Sequence, residues 1–302
     1  MKEVALTKVG GQKVKSGRCD LLDSDVENMS KGVTPGEWII LINNKSGNRY
    51  LGFVNPAVLA PEASIRIVEE ITEGNKVNDY SQEFILKIIN NNIQEAINYR
   101  NKFGRLTDGC RLIYGEMDRL PGLIVDKFQR NILIQINTAG LNKFRFEIKH
   151  MIQEKFSNHT VYLYDNEKYR KSESLPIFNE NVDFPDKLIV KENDLIIKVP
   201  TANMQKIGYY YDHRINRAKM CEWIKQANTN LSSGLDLFSY VGSWGLNMLK
   251  AGLQNVRFVD QAQMEQVIEE NLNFNFANKD KSADYIRTDV FKFLDAEQQN
   301  AK

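Results

Sequence analysis

Strand-like and helix-like segments alternate between Leu235 and Leu294, and this alternation limits the fold more than any other feature of the 302-residue chain. Leu235-Asp236-Leu237-Phe238 is an apolar run that leads through a glycine-bearing turn into a helical pattern from about Trp244 to Gly252. Val256 to Asp260 and Tyr285 to Thr288 repeat the strand pattern. Helical patterns follow from Gln263 to Phe276 and, shorter, from Val290 to Leu294. Strand, helix, strand in this rhythm predicts right-handed crossovers and a parallel sheet.

Such a sheet offers a ligand one place, beyond the carboxyl ends of its strands and against a helix N-terminus. The segment Leu235 to Gly245 occupies that place. Gly242 and Gly245 would let backbone approach a ligand closely. With two glycines it is not the G-x-G-x-x-G dinucleotide fingerprint, and a tight strand-to-helix turn with no ligand fits it equally. Asp260 ends the next strand, 24 residues after Asp236, where an acid can accept from ribose hydroxyls. Asp289 follows the third strand and could simply cap the next helix. The three carboxylates share one sheet edge in this reading, an arrangement suited to a nucleoside. The stretch Gln205 to Arg217 sets Tyr209, Tyr210 and Tyr211 beside Asp212, His213, Arg214 and Arg217. It reads as a polar and aromatic collar over a ligand, since rings stack on bases and Arg grips carboxylates in two-point fashion.

Upstream, two textures precede the alternation. Residues 1–75 are β-rich: Trp38 to Ile42 and Tyr50 to Val54 flank the turn Asn43 to Asn48, and Ile65 to Val68 is another strand. Lys8, Lys13, Lys15 and Arg18 form a small basic cluster, read as a solvated loop. Asp20, Asp23 and Asp25 beside it would repel phosphate. Residues 76–195 are α+β. Phe84 to Asn101 and Leu141 to Lys155 have helical apolar spacing, with strands at Arg111 to Tyr114, Gly122 to Asp126, Asn131 to Ile136, Val161 to Tyr164 and Leu195 to Val199. Glu116 and Asp118 read as structural carboxylates at a turn, and Trp38 and Trp223 as packing residues.

Composition excludes several classes. Forty Lys and Arg balance 39 Asp and Glu, so no strongly basic tail exists, although a local basic patch is compatible. No apolar run approaches a membrane span, and Met1 to Lys15 has no apolar core of a leader. Cys19, Cys110 and Cys221 are far apart, and with three His they supply no metal-ligand cluster. The expectation is a cytoplasmic protein with free thiols and no metal.

Three blocks resemble the PUA-plus-Rossmann cytosine-5 methyltransferases of bacterial 23S rRNA. Gly115 to Asp126 is similar to that family's GE-D-LPGL-VD signature, Gln205 to Arg217 to its QKTGYYLDQR-NR block, and Leu235 to Gly245 to its LDLFSYTGGF motif. The resemblance covers most of the chain from Trp38 onward. It implies an α/β protein with an N-terminal β-rich PUA-like RNA-binding domain (1–75), a central α+β domain (76–195) and a Rossmann-like S-adenosylmethionine (SAM) methyltransferase domain (196–302). It further implies that Lys206, Tyr210, Asp212 and Arg214 shape the SAM pocket. Asp236 and Gly242 would lie under the methionine part, with Phe238 and Tyr240 of the same block also cofactor-binding. Asp260 would hold the ribose hydroxyls and Asp289 the adenine amino group. The implied partner is RNA, 23S rRNA in particular, with no membrane; a homodimer is left open.

That family continues with a fourth strand, an Asp-Pro-Pro loop and later cysteine nucleophiles, because cytosine-5 transfer needs a thiolate to attack C6. This sequence has no Asp-Pro-Pro, and its three cysteines do not match the nucleophile positions. The methyltransferase domain is therefore expected to be truncated, with the catalytic residue beyond Lys302. The alternatives are a noncatalytic RNA-binding or assembly protein that keeps the fold, and methylation of another rRNA base.

Overall fold

The computed structural model describes residues 1–29, 32–59, 63–71, 80–102, 108–178, 184–202, 208–227, 231–277 and 281–300. The chain divides into two compact units, residues 1–103 with 111–184 and residues 104–110 with 185–302.

The first unit opens with β1 (Lys2–Ala5), α1 (Lys8–Lys15), β2 (Asp20–Leu21), β3 (Glu37–Ile42), β4 (Arg49–Val54) and β5 (Ile65–Ile71). The strands form one sheet in the order β1-β3-β4-β5-β2, with β1 parallel to β3 and β3 and β4 paired as a hairpin. Ile39, Ile40 and Leu41 are fully buried, as the uninterrupted apolar run predicts. The basic cluster differs from its reading as a loop: Lys8, Lys13 and Lys15 lie on α1. Two glycines hide that helix from propensity. Gly10 is required there, since a Cβ would lie 2.0 Å from the Asp25 carbonyl oxygen. Asp25 is buried and pairs with Lys13 at 2.7 Å, so its charge is used inside the fold.

The unit continues with α2 (Gln82–Asn101), β6 (Cys110–Tyr114), β7 (Leu123–Phe128), β8 (Asn131–Ile136), α3 (Ala139–Asn142), α4 (Arg145–Lys155), β9 (Thr160–Leu163) and α5 (Glu167–Ser172). These strands make a second sheet, β6-β7-β8-β9. Ser81 caps α2 by accepting from Phe84 N, and the helix buries the stripe Phe84, Ile85, Ile88, Ile89, Ile93, Ala96 and Ile97. The single helix expected over 141–155 is two. Phe144 breaks it and turns its buried ring edge-on to Trp38, 5.9 Å between centroids. Trp38 Nε1 donates to Gly140 O at 3.2 Å. Asp118 bonds Arg100 and accepts from Tyr114 N at 2.6 Å, which places it in a structural role.

The second unit holds β10 (Lys187–Glu192) and β11 (Leu195–Pro200), an antiparallel ribbon. There follow α6 (Arg214–Gln226), β12 (Ser233–Leu237), α7 (Ser243–Ala251), β13 (Asn255–Asp260), α8 (Glu265–Phe276), β14 (Ser282–Arg287) and α9 (Val290–Asn300). β12, β13 and β14 are parallel neighbours in that order, the arrangement the alternation predicts. The ribbon joins α8 through side chains. Asn271 accepts from Lys198 N at 2.8 Å and donates to Lys198 O at 3.1 Å, and Asn275 accepts from Ile196 N at 2.9 Å and donates to Ile196 O at 2.8 Å. Two asparagines one helical turn apart thus satisfy a strand edge as a neighbouring strand would. Trp223, read as a packing residue, is 69 % exposed on α6.

Candidate functional site

The loop from Phe238 to Gly242 joins β12 to α7. Phe238 and Tyr240 adopt positive φ, +56° and +48°, without being glycine, and Gly242 follows at +78°. Left-handed backbone at two aromatic residues costs about 1–2 kcal/mol each, and such conformations cluster at functional sites. Hydrogen bonds hold the loop there. Ser239 N donates to Val259 O at 3.1 Å, Gly242 N to Ser239 O at 2.7 Å, and Tyr240 N to Asp260 Oδ2 at 2.9 Å. Tyr240 Oη donates to Gly208 O at 3.0 Å.

Asp260, the last residue of β13, is fixed from two sides. Tyr240 N reaches Oδ2, and Ala262 N reaches Oδ1 at 2.9 Å. A carboxylate has about four acceptor positions, so two remain for a ligand. Asp236 lies one residue before the end of β12 and is buried. Its Oδ2 accepts from Gly245 N at 2.8 Å in the first turn of α7. Burial pushes its pKa up to about 7; the Gly245 N–H opposes this rise and the neighbouring Asp260 charge adds to it.

The rise has a defined sign for stability. The folded state holds the Asp236 proton more tightly than the unfolded chain does. The stabilisation is therefore complete below about pH 4 and is lost as the pH climbs to about 7, at roughly 1.4 kcal/mol for each pH unit crossed. Asp236→Asn keeps an acceptor for Gly245 N and removes the titration. The melting temperature of Asp236→Asn, measured without ligand, is expected to climb relative to wild type between pH 5 and pH 8. A gap that stays constant with pH would contradict the assignment.

The two glycines have different causes. Gly242 supplies positive φ. At Gly245 a Cβ would lie 2.2 Å from Phe258 Cε1, so the glycine lets α7 pack on β13; its absent side chain is filled by protein. Gly245→Ala is expected to destabilise the unit by about 1–3 kcal/mol, partly recovered by Phe258→Leu, in chemical denaturation.

The consecutive tyrosines do not act as one surface. Tyr209 and Tyr211 are buried, and Tyr210 is 46 % exposed. Tyr210 meets Tyr240 edge-on at 6.0 Å and stacks on His213 at 6.1 Å, and His213 meets Trp244 at 5.9 Å. Asp212 is exposed beside His213, 3.6 Å away, and does not cap α6, whose N-cap residue is His213. Arg214 is half-buried at the start of that helix. Lys206 lies outside the described residues. Asp289, just beyond β14, does both jobs of a cap and an edge residue. Oδ1 accepts from Phe291 N at 3.0 Å and Lys292 N at 3.1 Å, and Oδ2 accepts from Gln261 Nε2 at 2.6 Å. Phe291, 68 % exposed, lies 6.1 Å from Phe238.

Glu192 and Gln261 join this site without a signature motif in the sequence. Arg217 is wholly buried and forks onto Glu192 of β10 at 2.6 and 2.9 Å, while also donating to Tyr210 O at 3.1 Å. Glu192 and Asp194 interrupt the apolar residues between Leu188 and Ile197, and Glu192, the buried one, requires a partner. Gln261 was missed because a polar residue after a strand is unremarkable in sequence. Among the described residues no group of His, Cys, Asp and Glu could hold a metal, and no helix is long and apolar enough to cross a membrane.

Three parallel strands joined by helices, with acids along one edge, define a Rossmann-like α/β class. Two solved structures share the fold. One, from Streptococcus mutans and assigned as a SAM-dependent methyltransferase, gives a TM-score of 0.74 at 15 % identity over 100 % of this chain and 74 % of its own. The other, an assigned methyltransferase complexed with SAH, gives 0.73 at 15 % identity over 100 % and 73 %. No family model matches the chain.

In sequence the chain is similar to proteins named ribosomal RNA large subunit methyltransferase I. The Pseudoalteromonas atlantica protein is 31 % identical over 189 residues, 62 % of this chain and 46 % of that protein. The Serratia proteamaculans protein is 30 % identical over 224 residues, 71 % and 54 %. The Cronobacter sakazakii protein is 26 % identical over 275 residues, 89 % and 65 %. The chain spans about half the length of the first two.

Proposed function

We propose that this protein is a cytoplasmic, SAM-dependent methyltransferase of large-subunit ribosomal RNA that modifies C5 of a cytosine in 23S rRNA. The observation that carries the cofactor assignment is Asp260. Its carboxylate is held by two backbone N–H groups at the end of β13, with two acceptor positions left for a vicinal diol. The residues present fit SAM. Asp260 takes the ribose, the Asp289 end of the edge takes the base, and Asp236 and the Tyr210 face lie where a cationic methionine and sulfonium gain from a carboxylate and a π-face. Phe238, Tyr240 and Gly242 form the turn beneath it, and Asp212 and Arg214 belong to its rim. When bound, SAM supplies an electrophilic methyl group. The protein's own contribution is to orient it and to set beneath it Asp236, whose ionised form a positive ligand favours.

The RNA substrate is supported by the similarity to named large-subunit rRNA methyltransferases. In this reading residues 1–75 are a PUA-like RNA-contacting module, 76–195 a platform, and 196–302 the cofactor-binding part. A second reading has an observation of its own. Burial pushes the thiols of Cys19 and Cys221 up, and Cys221 donates to Asn247 O at 3.3 Å, so both are poor nucleophiles. Methylation of an exocyclic amine or ring nitrogen needs no thiolate. Mass spectrometry of rRNA nucleosides from a deletion strain separates these: loss of one 5-methylcytidine supports the proposal, and loss of a different methylated base supports the second. An unchanged methylation pattern points instead to a noncatalytic RNA-binding role.

A further inference from the structure

We infer that Gln261, locked in one orientation by Asp289, is the residue that reads the purine edge of the cofactor and selects adenine. This rests on the SAM reading of the site. Asp289 has little capacity left for a direct contact: Oδ1 accepts from two backbone N–H groups of α9, and Oδ2 accepts from Gln261 Nε2 at 2.6 Å. A carboxylate only accepts, so the nitrogen of the Gln261 amide must be the end facing Asp289. The main chain around Gln261 is also held, by Arg287 Nε donating to Gln261 O at 3.3 Å and by the Ala262 N bond to Asp260. The exposed amide then offers Oε1 and one N–H side by side at the strand edge where this reading puts the base.

That pair matches adenine. Oε1 accepts from the exocyclic N6 amine, and the free N–H donates to N1, the counterpart on that edge of the two-point contact by which Gln and Asn read N6 and N7 of adenine in nucleic acids. A bare carboxylate could accept from the amine but could not donate to the ring nitrogen. On the same edge of a 6-oxo purine, O6 accepts and N1–H donates, so both polarities are reversed. The amide could follow only by flipping, and a flip would turn Oε1 toward the Asp289 carboxylate. Asp289 is therefore a positioning residue that enforces the adenine-reading orientation of Gln261.

The test is calorimetric binding of S-adenosylhomocysteine (SAH) and of its deaminated form, S-inosylhomocysteine, to the full-length protein and two variants. Wild type is expected to prefer SAH by about 10-fold or more, the range of a two-point base contact. Gln261→Ala, at an exposed position, is expected to bind both ligands within about threefold of each other, the residue of a lost two-point contact. Asp289→Asn is expected to reverse the order. Its Oδ1 stays on the helix N–H groups, its amide nitrogen takes the Oδ2 place, and Gln261 flips. A merely structural Asp289 would weaken both ligands together. Discrimination that survives Gln261→Ala overturns this assignment alone, and failure of wild type to bind SAH overturns the cofactor reading and this assignment with it.

Discussion

Asp260→Ala is expected to lower the affinity for SAM about 100-fold or more. The size follows from two hydrogen bonds to a charged acceptor, each worth roughly 1.5–3 kcal/mol. It also follows from the double use of the carboxylate, because Asp260 holds Tyr240 N and Ala262 N as well as the proposed diol. Without it the left-handed turn at Phe238 and Tyr240 loses an anchor, and the pocket floor loosens. Asp260→Asn separates the two contributions. One amide oxygen can still accept, so its loss is expected to be smaller, about 10-fold. Calorimetry of SAM binding checks both, and unchanged affinity in Asp260→Ala would remove the ribose role.

The second large effect is on stability. Arg217 and Glu192 are both fully buried, and each is the other's charge partner. Removing one partner leaves a buried charge alone, which costs about 3–5 kcal/mol. Arg217→Met is therefore expected to lower the melting temperature of the second unit by roughly 10–20 °C, taking that penalty over a domain of this size. The double variant Arg217→Met, Glu192→Leu is expected to recover most of the loss, because replacing both charges by apolar groups is often near neutral. Thermal melts of the three proteins check this. A single variant as stable as wild type would show that the pair is not the anchor of the tyrosine block. The pair also bears on the site: Arg217 holds the Tyr210 carbonyl, and the Tyr210 ring lies against Tyr240.

What was legible in the sequence was what repeats or is punctuated. The strand–helix alternation from Leu235 placed three parallel strands and brought Asp260 and Asp289 to one edge, with Asp236 just short of it. The β3–β4 hairpin and the amphipathic α2 were equally readable. What escaped was set by tertiary contact. The glycines of α1 look like a loop until Asp25 packs on them. Phe144 looks like one more apolar residue of a continuous helix until its ring is needed beside Trp38. Three adjacent tyrosines look equivalent, yet local backbone turns two inward and one outward. Gly245 was read for ligand approach, and it is Phe258 that demands it. Glu192 and Arg217 are 25 residues apart, and no local pattern ties them.

The most direct measurement of the central claim is transfer of a labelled methyl group from SAM to large-subunit rRNA by the purified full-length protein, with rRNA from a strain lacking its gene as substrate. The account predicts label in the RNA, recovered as 5-methylcytidine at one position and absent with Asp260→Ala. RNA that binds the protein yet gains no label would contradict it.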